Sequence, residues 1–575
     1  MELQSDLLLY LDNRRLLLQM RDCSGEFLKQ LTVDTISKYP PLRYILEIDV
    51  MDLLNDSPGV GKLLLDEPLK FQRNCNKILY ACLKLIGHEL INDIQEAQVA
   101  VILRLKSVPR LLVGFKSRTF TGLVGFQGLL LDVSKPSPFV HHTVWSCPEE
   151  CDGNEVILPY IPKSPPKCYV CRSTLFENCG LRRCGEQVTG MFKIKQDLLI
   201  RKFKIIDDLI LKLKLGSVFN ITATALKKTI DVWYLEEIVA LPAPVTTAIP
   251  ADISELYNIC DGLPWKFIYC LASSIGVNIC PLNCFMHLKI NLLLSLASVK
   301  ANIITGSSII HVLVAGLDTS TVGALMVEGA KLADVSLTLG TSNSAVSTTL
   351  VGCSGGVCVM PLPLHTYNQK ITTAVLSAIE SGEISHESGR TKLRAAVWAQ
   401  GMDFKKINLY NVASVFATVC RGDYCEYQDE IVEFLLQRAV EPTEVTREEV
   451  QALKDVALYV DIVSGIQVSL DSATESLLRN YFLTARKERT RGVSIGSMES
   501  LVATCLTSAR LCRRTIAKID DAIFAIWLHV SGSPEPRFAP DEYLQTPADV
   551  KKLQKIFNQF ITWLEEFTGG CYTQI

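Results

Sequence analysis

Residues 309–364 constrain this chain more than any other stretch. The apolar run Ile309-Ile310-His311-Val312-Leu313-Val314-Ala315 predicts a buried strand. Gly316-Leu317-Asp318-Thr319-Ser320-Thr321-Val322-Gly323 predicts an eight-residue loop, and Ala324 to Leu332 a helix. Strand, loop and helix in this order is the layout of a loop that cradles nucleotide phosphates. Such a loop needs Gly for close backbone approach, Lys to reach the β/γ-phosphates and Ser/Thr to hold Mg²⁺. Here Val322 and Gly323 stand in the Lys and Ser/Thr places, and an isopropyl group cannot neutralise phosphate charge. A second buried strand is expected over Gly355-Gly356-Val357-Cys358-Val359-Met360. An ATPase strand of this kind ends in two carboxylates, one for Mg²⁺ and one to orient water; this one ends in Pro361 and Leu362. The candidate nucleotide-binding set is therefore vestigial: Gly316, Asp318, Thr319, Ser320, Thr321, Val322, Gly323, Pro361 and Leu362. Losing the Lys, the hydroxyl and both carboxylates together argues against hydrolysis and puts ATP binding in doubt. The same residues also fit an unrelated strand-loop-helix unit.

A chain of 575 residues is too long for one core, so two to four domains are expected. Hydrophobic residues make up 48% and mean hydropathy is +0.22, which excludes global disorder. The net charge of −3 excludes a global basic field, so any nucleic-acid contact must come from a local patch. The acidic start, Met-Glu-Leu-Gln-Ser-Asp, lacks the cationic region of a secretory signal. Ile290 to Val299, the best membrane candidate, is short and flanked by Lys289 and Lys300, so no membrane span is expected. Twenty cysteines without such a signal favour reduced thiols and metal ligation over a disulfide frame.

The organisation changes along the chain. Residues 1–108 carry helical spacing, as in Asn74 to Ile91, and predict a helical subdomain. Residues 109–226 show short β-rich runs such as Leu111 to Phe115, Thr121 to Phe126 and Phe219 to Thr224. A cysteine-rich insertion at about 147–184 interrupts them, which fits a small barrel such as an OB-fold with an inserted loop. Residues 227–258, with Leu-Pro-Ala-Pro-Val and Ile-Pro-Ala-Asp, read as a linker. Residues 259–437 alternate strands and helices in the α/β manner. Residues 438–575 read as helical, with one break at Ser531-Gly-Ser-Pro-Glu-Pro. The expected fold class is thus multidomain α/β plus β.

Cys147-x3-Cys151 and Cys168-x2-Cys171 form a candidate four-thiolate site for structural zinc, since paired thiolates on tight turns suit a tetrahedral ion. Cys168, Cys171, Cys179 and Cys184 are a rival quartet, and buried free cysteines are the bland alternative. Lys193, Lys195, Arg201, Lys202 and Lys204 follow; on a barrel they could track a DNA backbone, or they could line a solvated strand face. Arg486, Lys487, Arg489 and Arg491 read as an exposed helix end. Asp207-Asp208 and Asp520-Asp521 read as solvated caps or turns. No Ser/His/Asp or Cys/His catalytic set stands out.

The order of these regions, with a phosphate-loop core and a helical lid, resembles the minichromosome maintenance (MCM) helicases of the AAA+ class. Asp208-Leu209 through Gly216-Ser217-Val218 resembles the family's D-L-V-D…P-G-D-x-V. Ser273-Ser274-Ile275 with Lys289 resembles S-I-A-P…K, and Gly355-Gly356-Val357-Cys358 matches G-G-V-C. Glu380-Ser381-Gly382-Glu383-Ile384-Ser385 resembles M-E-Q-Q-T-I-S. Met498-Glu499-Ser500-Leu501 with Ser508-Ala509-Arg510-Leu511 resembles L-E-S-L-I-R-L-S-E-A. The motifs are colinear.

The departures from the family are systematic. The arginine finger of S-R-F-D falls at Val415 in Ser414-Val415-Phe416-Ala417, and the lid arginine at Gly496. The sensor asparagine region reads Ala399-Gln400-Gly401. The pore-hairpin lysine falls near Glu387, and the stretch from Leu350 to Gly355 is too short for the family's second pore hairpin. Relief from an ATPase requirement explains such a pattern better than random divergence. It is similar to the family's divergent meiotic members, with long support from Tyr481 through Arg491-Gly492-Val493 to Ile526. That resemblance implies a nuclear factor in meiotic homologous recombination and double-strand-break repair. Such a factor would be a non-catalytic scaffold touching DNA, recombination proteins and other MCM-like subunits; the alternative is a helicase subunit whose ATPase is completed by partners.

Overall fold

The structure is a computed structural model. It describes residues 2–33, 38–87, 94–108, 122–149, 151, 155–194, 200–226, 229–238, 248–316, 318–341, 345–387, 389–402, 412, 415–422, 428–440, 447–489, 493–533 and 536–572. The chain divides into two compact units, Met1–Val239 and Ala240–Ile575. Each is a mixture of helices and sheets, in keeping with a multidomain α/β protein.

The first unit opens with helices α1 (Glu2–Asn13) and α2 (Leu16–Val33), strand β1 (Leu42–Asp49), then α3 (Val50–Asp56), α4 (Pro58–Asp66) and α5 (Pro68–Leu85). Pro58 and Pro68 sit at the first helical positions, where the missing N–H costs nothing. Strand β2 (Val99–Lys106) pairs with β1 in parallel from Leu42↔Val99 to Asp49↔Lys106. The first 108 residues are therefore α/β and not purely helical. The alternation that marks β1 is short, and its partner lies nearly sixty residues away, so helical spacing dominates any local window.

Strands β3 (Leu123–Val133), β4 (Ser137–Ser146), β5 (Val156–Leu158), β6 (Phe176–Glu177), β7 (Arg183–Ile194), β8 (Ile200–Ile206), β9 (Val218–Leu226) and β10 (Thr229–Ile238) follow. β3 pairs with both β9 and β7, so β3, β7, β8, β10 and β9 close into a five-stranded ring. Phe126, Phe192, Phe203 and Phe219 fill it, with ring centroids of Phe126 and Phe203 4.8 Å apart. β10 corrects the expected linker at 227–258: its alternation buries Val232 and Leu235, and it supplies the closing strand. A helix over Ala251–Ile259 takes up the other end of that range.

In the second unit α6 is that helix, followed by α7 (Pro264–Ser273) and α8 (Met286–Thr305). β11 (His311–Ala315), α9 (Thr319–Gly329), β12 (Ser336–Thr338), α10 (Val346–Gly352), β13 (Val357–Pro363) and α11 (Gln369–Ser381) come next. A hairpin, β14 (Glu383–His386) and β15 (Gly389–Lys392), precedes β16 (Ala396–Met402) and β17 (Ala417–Arg421). The sheet order is β12-β13-β16-β11-β17, with every pair parallel. A helix at 428–440 follows, and helices at 447–464, 472–488, 495–511, 519–532 and 550–568 gather around one large core containing Trp265, Tyr459, Tyr481 and Trp527. α8 is long and apolar enough to cross a membrane by composition, but it is mostly buried as a core helix. Its flanking lysines are turned inward: Lys289 donates to the carbonyls of Pro281 (3.2 Å) and Leu282 (3.3 Å), and Lys300 pairs with Asp461.

Two acidic pairs differ from the expected solvated turns. Arg43 donates to Asp207 and meets His141 Nδ1 at 2.7 Å, while Arg104 forks onto both oxygens of Asp208 at 3.1 and 3.2 Å. Burial works against the Asp208 carboxylate, but hydrogen bonding and charge from Arg104 hold its pKa below the usual range. Asp521 is 0% exposed. It accepts from Ser508 Oγ at 2.8 Å, Arg514 at 2.9 Å and the Lys518 backbone N–H at 3.0 Å. Adjacent carboxylates in a sequence give no hint that arginines distant in sequence will reach them.

Candidate functional site

Two sites rise from the sequence onto separate units. In the second unit, the strand order reverses at β11, which lies between β16 and β17. The carboxyl end of such a strand is where α/β sheets bind ligands. Gly316, Asp318, Thr319, Ser320, Thr321, Val322 and Gly323 do gather there, opposite Pro361 and Leu362 on β13. The loop is shorter than expected: α9 begins at Thr319, so only residues 316–318 connect it to β11, and Leu317 lies outside the described residues. Val322 is 1% exposed and belongs to the apolar core beneath the sheet with Val314 and Trp398. Its isopropyl group thus packs inward from the position where a nucleotide loop would hold a cation.

Gln400, near the end of β16, decides the geometry here. Its amide donates to the Thr319 carbonyl at 2.7 Å and to the Pro361 carbonyl, tying the first turn of α9 to β13. A Cβ built on Gly323 would lie 2.5 Å from the Pro361 oxygen and 2.8 Å from Gln400 Nε2. No side chain, and so no Mg²⁺-binding hydroxyl, fits at Gly323. Both contacts spend the Gln400 amide donor on carbonyls of the chain itself. A polar residue following Ala399 in a buried strand was the available signal.

Val415 and Gly496 line one cavity of about 590 Å³ with Arg486, Glu380 and Glu499. A single guanidinium among two carboxylates there gives a poor surface for phosphate. Glu387 sits at the turn of the β14–β15 hairpin, and among residues 350–355 helix α10 passes directly towards β13 with no hairpin. Arg486 and Lys487 close the last turn of their helix, where cations suit the dipole. Arg489 instead stacks over Phe538 at 4.4 Å, and Arg491 lies outside the described residues.

In the first unit, Cys147 follows β4 and Cys168 and Cys171 precede β6. A tight turn presents the second pair: the Cys168 N–H donates to Ser173 O at 2.8 Å and the Arg172 N–H to Cys168 O at 3.1 Å, with Arg172 left-handed at φ 60°. The sulfurs of Cys147, Cys151, Cys168 and Cys171 all lie within 4.8 Å of one another, and Cys147 and Cys171 within 3.4 Å. Four thiolates around one Zn²⁺ at about 2.3 Å would sit roughly 3.8 Å apart, so this cluster can hold a metal ion. Hydrogen bonds from Ser173 lower the Cys171 thiol to about 7, which favours the ligating thiolate. Cys179 and Cys184 are exposed and form no cluster of ligands among the described residues, so the rival quartet is not assembled.

The basic run divides. Register pairs Lys193↔Ile200, Met191↔Lys202 and Thr189↔Lys204 put Lys193, Lys202 and Lys204 on one outer face, while Phe192 and Phe203 point into the barrel. Arg201 pairs with Phe192 and so belongs to the opposite face, which corrects its grouping with the lysines. Lys204 lies over the Phe139 ring at 4.1 Å and opposite Asp231 on β10. Burial raises the Asp231 carboxyl, against the pull of Lys204. Lys193 and Lys202 have no ion pair among the described residues. Lys195 lies outside those residues.

Residues 3–108 match the family model described as the MCMDC2 N-terminal domain. Minichromosome maintenance domain-containing protein 2 of Rattus norvegicus is 22% identical over 335 residues, or 51% of this chain and 48% of that protein. The chain is a divergent relative of minichromosome maintenance domain-containing protein 2. The Mus musculus protein of that name is 20% identical over 595 residues, covering 86% of each chain. The match to the rat protein spans about half of its length, while the mouse match runs through both units of the present chain.

Proposed function

We propose that this MCM-like chain is a non-catalytic scaffold for meiotic homologous recombination and DNA double-strand-break repair in the nucleus. In this reading it binds DNA through its first unit and recombination proteins or other MCM-like subunits through its second. The observation that carries the loss of catalysis is Gln400: its amide bridges Thr319 and Pro361 across the crevice where phosphate would enter. The all-parallel sheet supports an AAA+ reading of the second unit, and the vestigial turn lies at its switch point. The five-stranded ring, with β8 and β10 parallel, supports an OB-fold reading of residues 123–238, with the cysteine loop inserted after β4. The thiolate cluster favours structural zinc, because its four sulfurs leave no open coordination position for chemistry.

The chain's own residues assign the work. Cys147, Cys151, Cys168 and Cys171 would hold the ion and so anchor the loop between β4 and β7. Lys193 and Lys202 present charge to a phosphate backbone, and the β14–β15 hairpin carries Glu387 where the family's DNA contact would carry lysine.

The test is equilibrium binding of a fluorescent ATP analogue, together with DNA-stimulated hydrolysis, for the full chain alone and with a partner MCM-like subunit. Absence of binding and turnover in both is the expected result. Turnover that depends on residues 316–323 of this chain would replace the scaffold with a partner-completed helicase subunit.

A further inference from the structure

The N-terminal helices of the first unit carry apolar residues on two faces. Inward, α1 buries Leu7, Tyr10 and Leu11, α2 buries Met20 and Leu28, and α5 buries Phe71, Cys75, Leu79 and Leu83. Outward, Leu8 is 41% exposed, Leu18 54% and Leu85 83%. A helix that serves one core has a single apolar stripe and a charged remainder. Here the second stripes of three helices converge on one groove of about 780 Å³. On α5 its wall runs through Asn74, Ile78, Ala81 and Leu85, four residues at helical spacing. That wall is about three turns, or some 16 Å, long.

The charges say what the groove takes. Arg21 on α2 and Lys77 on α5 line it, and neither has an ion pair among the described residues; Asp12 on α1 is the remaining charged lining residue. The lining therefore carries an excess of positive charge on an apolar bed. We propose that this groove receives an acidic amphipathic helix of a partner protein. Leucine-like anchors would seat between Leu8, Leu18, Ile78 and Leu85, and carboxylates would meet Arg21 and Lys77. A wall of this length matches the i, i+3/i+4, i+7 anchors by which helices dock in grooves. The charge pair sets which helix binds more than how tightly.

The probe is a fluorescein-labelled designed helix of about 14 residues with leucine at i, i+4, i+7 and i+11 and glutamate elsewhere on its rim. Its counterpart carries lysine in place of glutamate. Anisotropy titrations use the full chain. The glutamate helix is expected to bind saturably and about tenfold more tightly than the lysine helix. Arg21→Glu with Lys77→Glu should invert that order, and Ala81→Trp, at an exposed position, should abolish both by filling the groove. Leu18→Ser gives a second, smaller perturbation in the same direction, with circular dichroism checking the fold of every variant. Failure of the glutamate helix to saturate, indifference to Ala81→Trp, or an unchanged order after charge reversal would overturn the proposal. A concentration-dependent dimer in sedimentation that Ala81→Trp dissolves would overturn it in favour of a second copy of this chain.

Discussion

The cysteine cluster of the first unit and the strand-to-helix turn of the second are built in opposite ways. Four sulfurs remain poised within 4.8 Å of one another, with Ser173 hydrogen-bonded to one of them. The turn after β11 is spanned by Gln400, whose amide donates to the Thr319 and Pro361 carbonyls. A structural ion holds a loop in place, so losing its ligands costs folding free energy directly. At the turn no ion is needed, because Val322 joins the apolar core and Gln400 pairs with two carbonyls. The contrast teaches that four clustered thiols leave room for an ion between them, whereas the carbonyls at the turn are already paired within the chain.

The largest expected effect tests the retained half. Cys168→Ser combined with Cys171→Ser should reduce metal content from about one ion per chain to none by atomic emission, with a clear fall in melting temperature. A wild-type protein that carries no metal and melts at the same temperature as the variant would break the comparison.

A second test uses pH on the closed half. Burial depresses His287, His311 and His529 to about 4 from an ordinary 6.5. Between those values the unfolded chain binds protons that the folded unit does not, so stability falls as pH drops from about 6.5 to about 4. The upper bound is roughly 3 kcal/mol per group, read as a falling urea midpoint. A midpoint flat across that window would show that these rings are protonated without unfolding.

Gln400→Ala should come next, at about 1–3 kcal/mol, because it strands the Thr319 and Pro361 carbonyls. Urea unfolding measures it, and a variant as stable as wild type would mean that the amide is not what closes the crevice. Restored ATP binding in that variant would sharpen the comparison by showing that one side chain separates the closed turn from a working one.

The smallest effect concerns the lysines. Lys193→Glu with Lys202→Glu should flatten the slope of log affinity for single-stranded DNA against log salt by about two. An unchanged slope in filter binding would move DNA contact away from this face and leave the first unit as a partner-binding module.

Much of this architecture was legible from local pattern. The strand at 311–315, the strand at 357–363 and the first cysteine quartet come from short-range hydrophobicity and spacing, which a reader of residues can count. The missed features share a different cause. β10 hid in a range whose prolines drew attention to its second half, while its own Val232 and Leu235 alternation marked a strand. Arg201 reads as one group with Lys193, Lys195, Lys202 and Lys204, although strand parity turns it to the other face. Asp207, Asp208 and Asp521 looked solvated because their arginine partners approach from other elements.

What the chain's sequence determined alone is the set of groups available: no lysine among residues 316–323, no carboxylate at Pro361 or Leu362, four thiols at ligand spacing. Those are statements about which atoms exist, and no fold can add to them. Tertiary structure decided which atoms meet. It selected one cysteine quartet by bringing four sulfurs together, and it divided the basic run by turning Arg201 to the face opposite Lys193, Lys202 and Lys204. It also placed Gln400, some eighty residues from Thr319 and some forty from Pro361, across both carbonyls. Hydrogen bonds reach only about 3 Å, so their partners depend on how distant strands register, which local sequence does not encode.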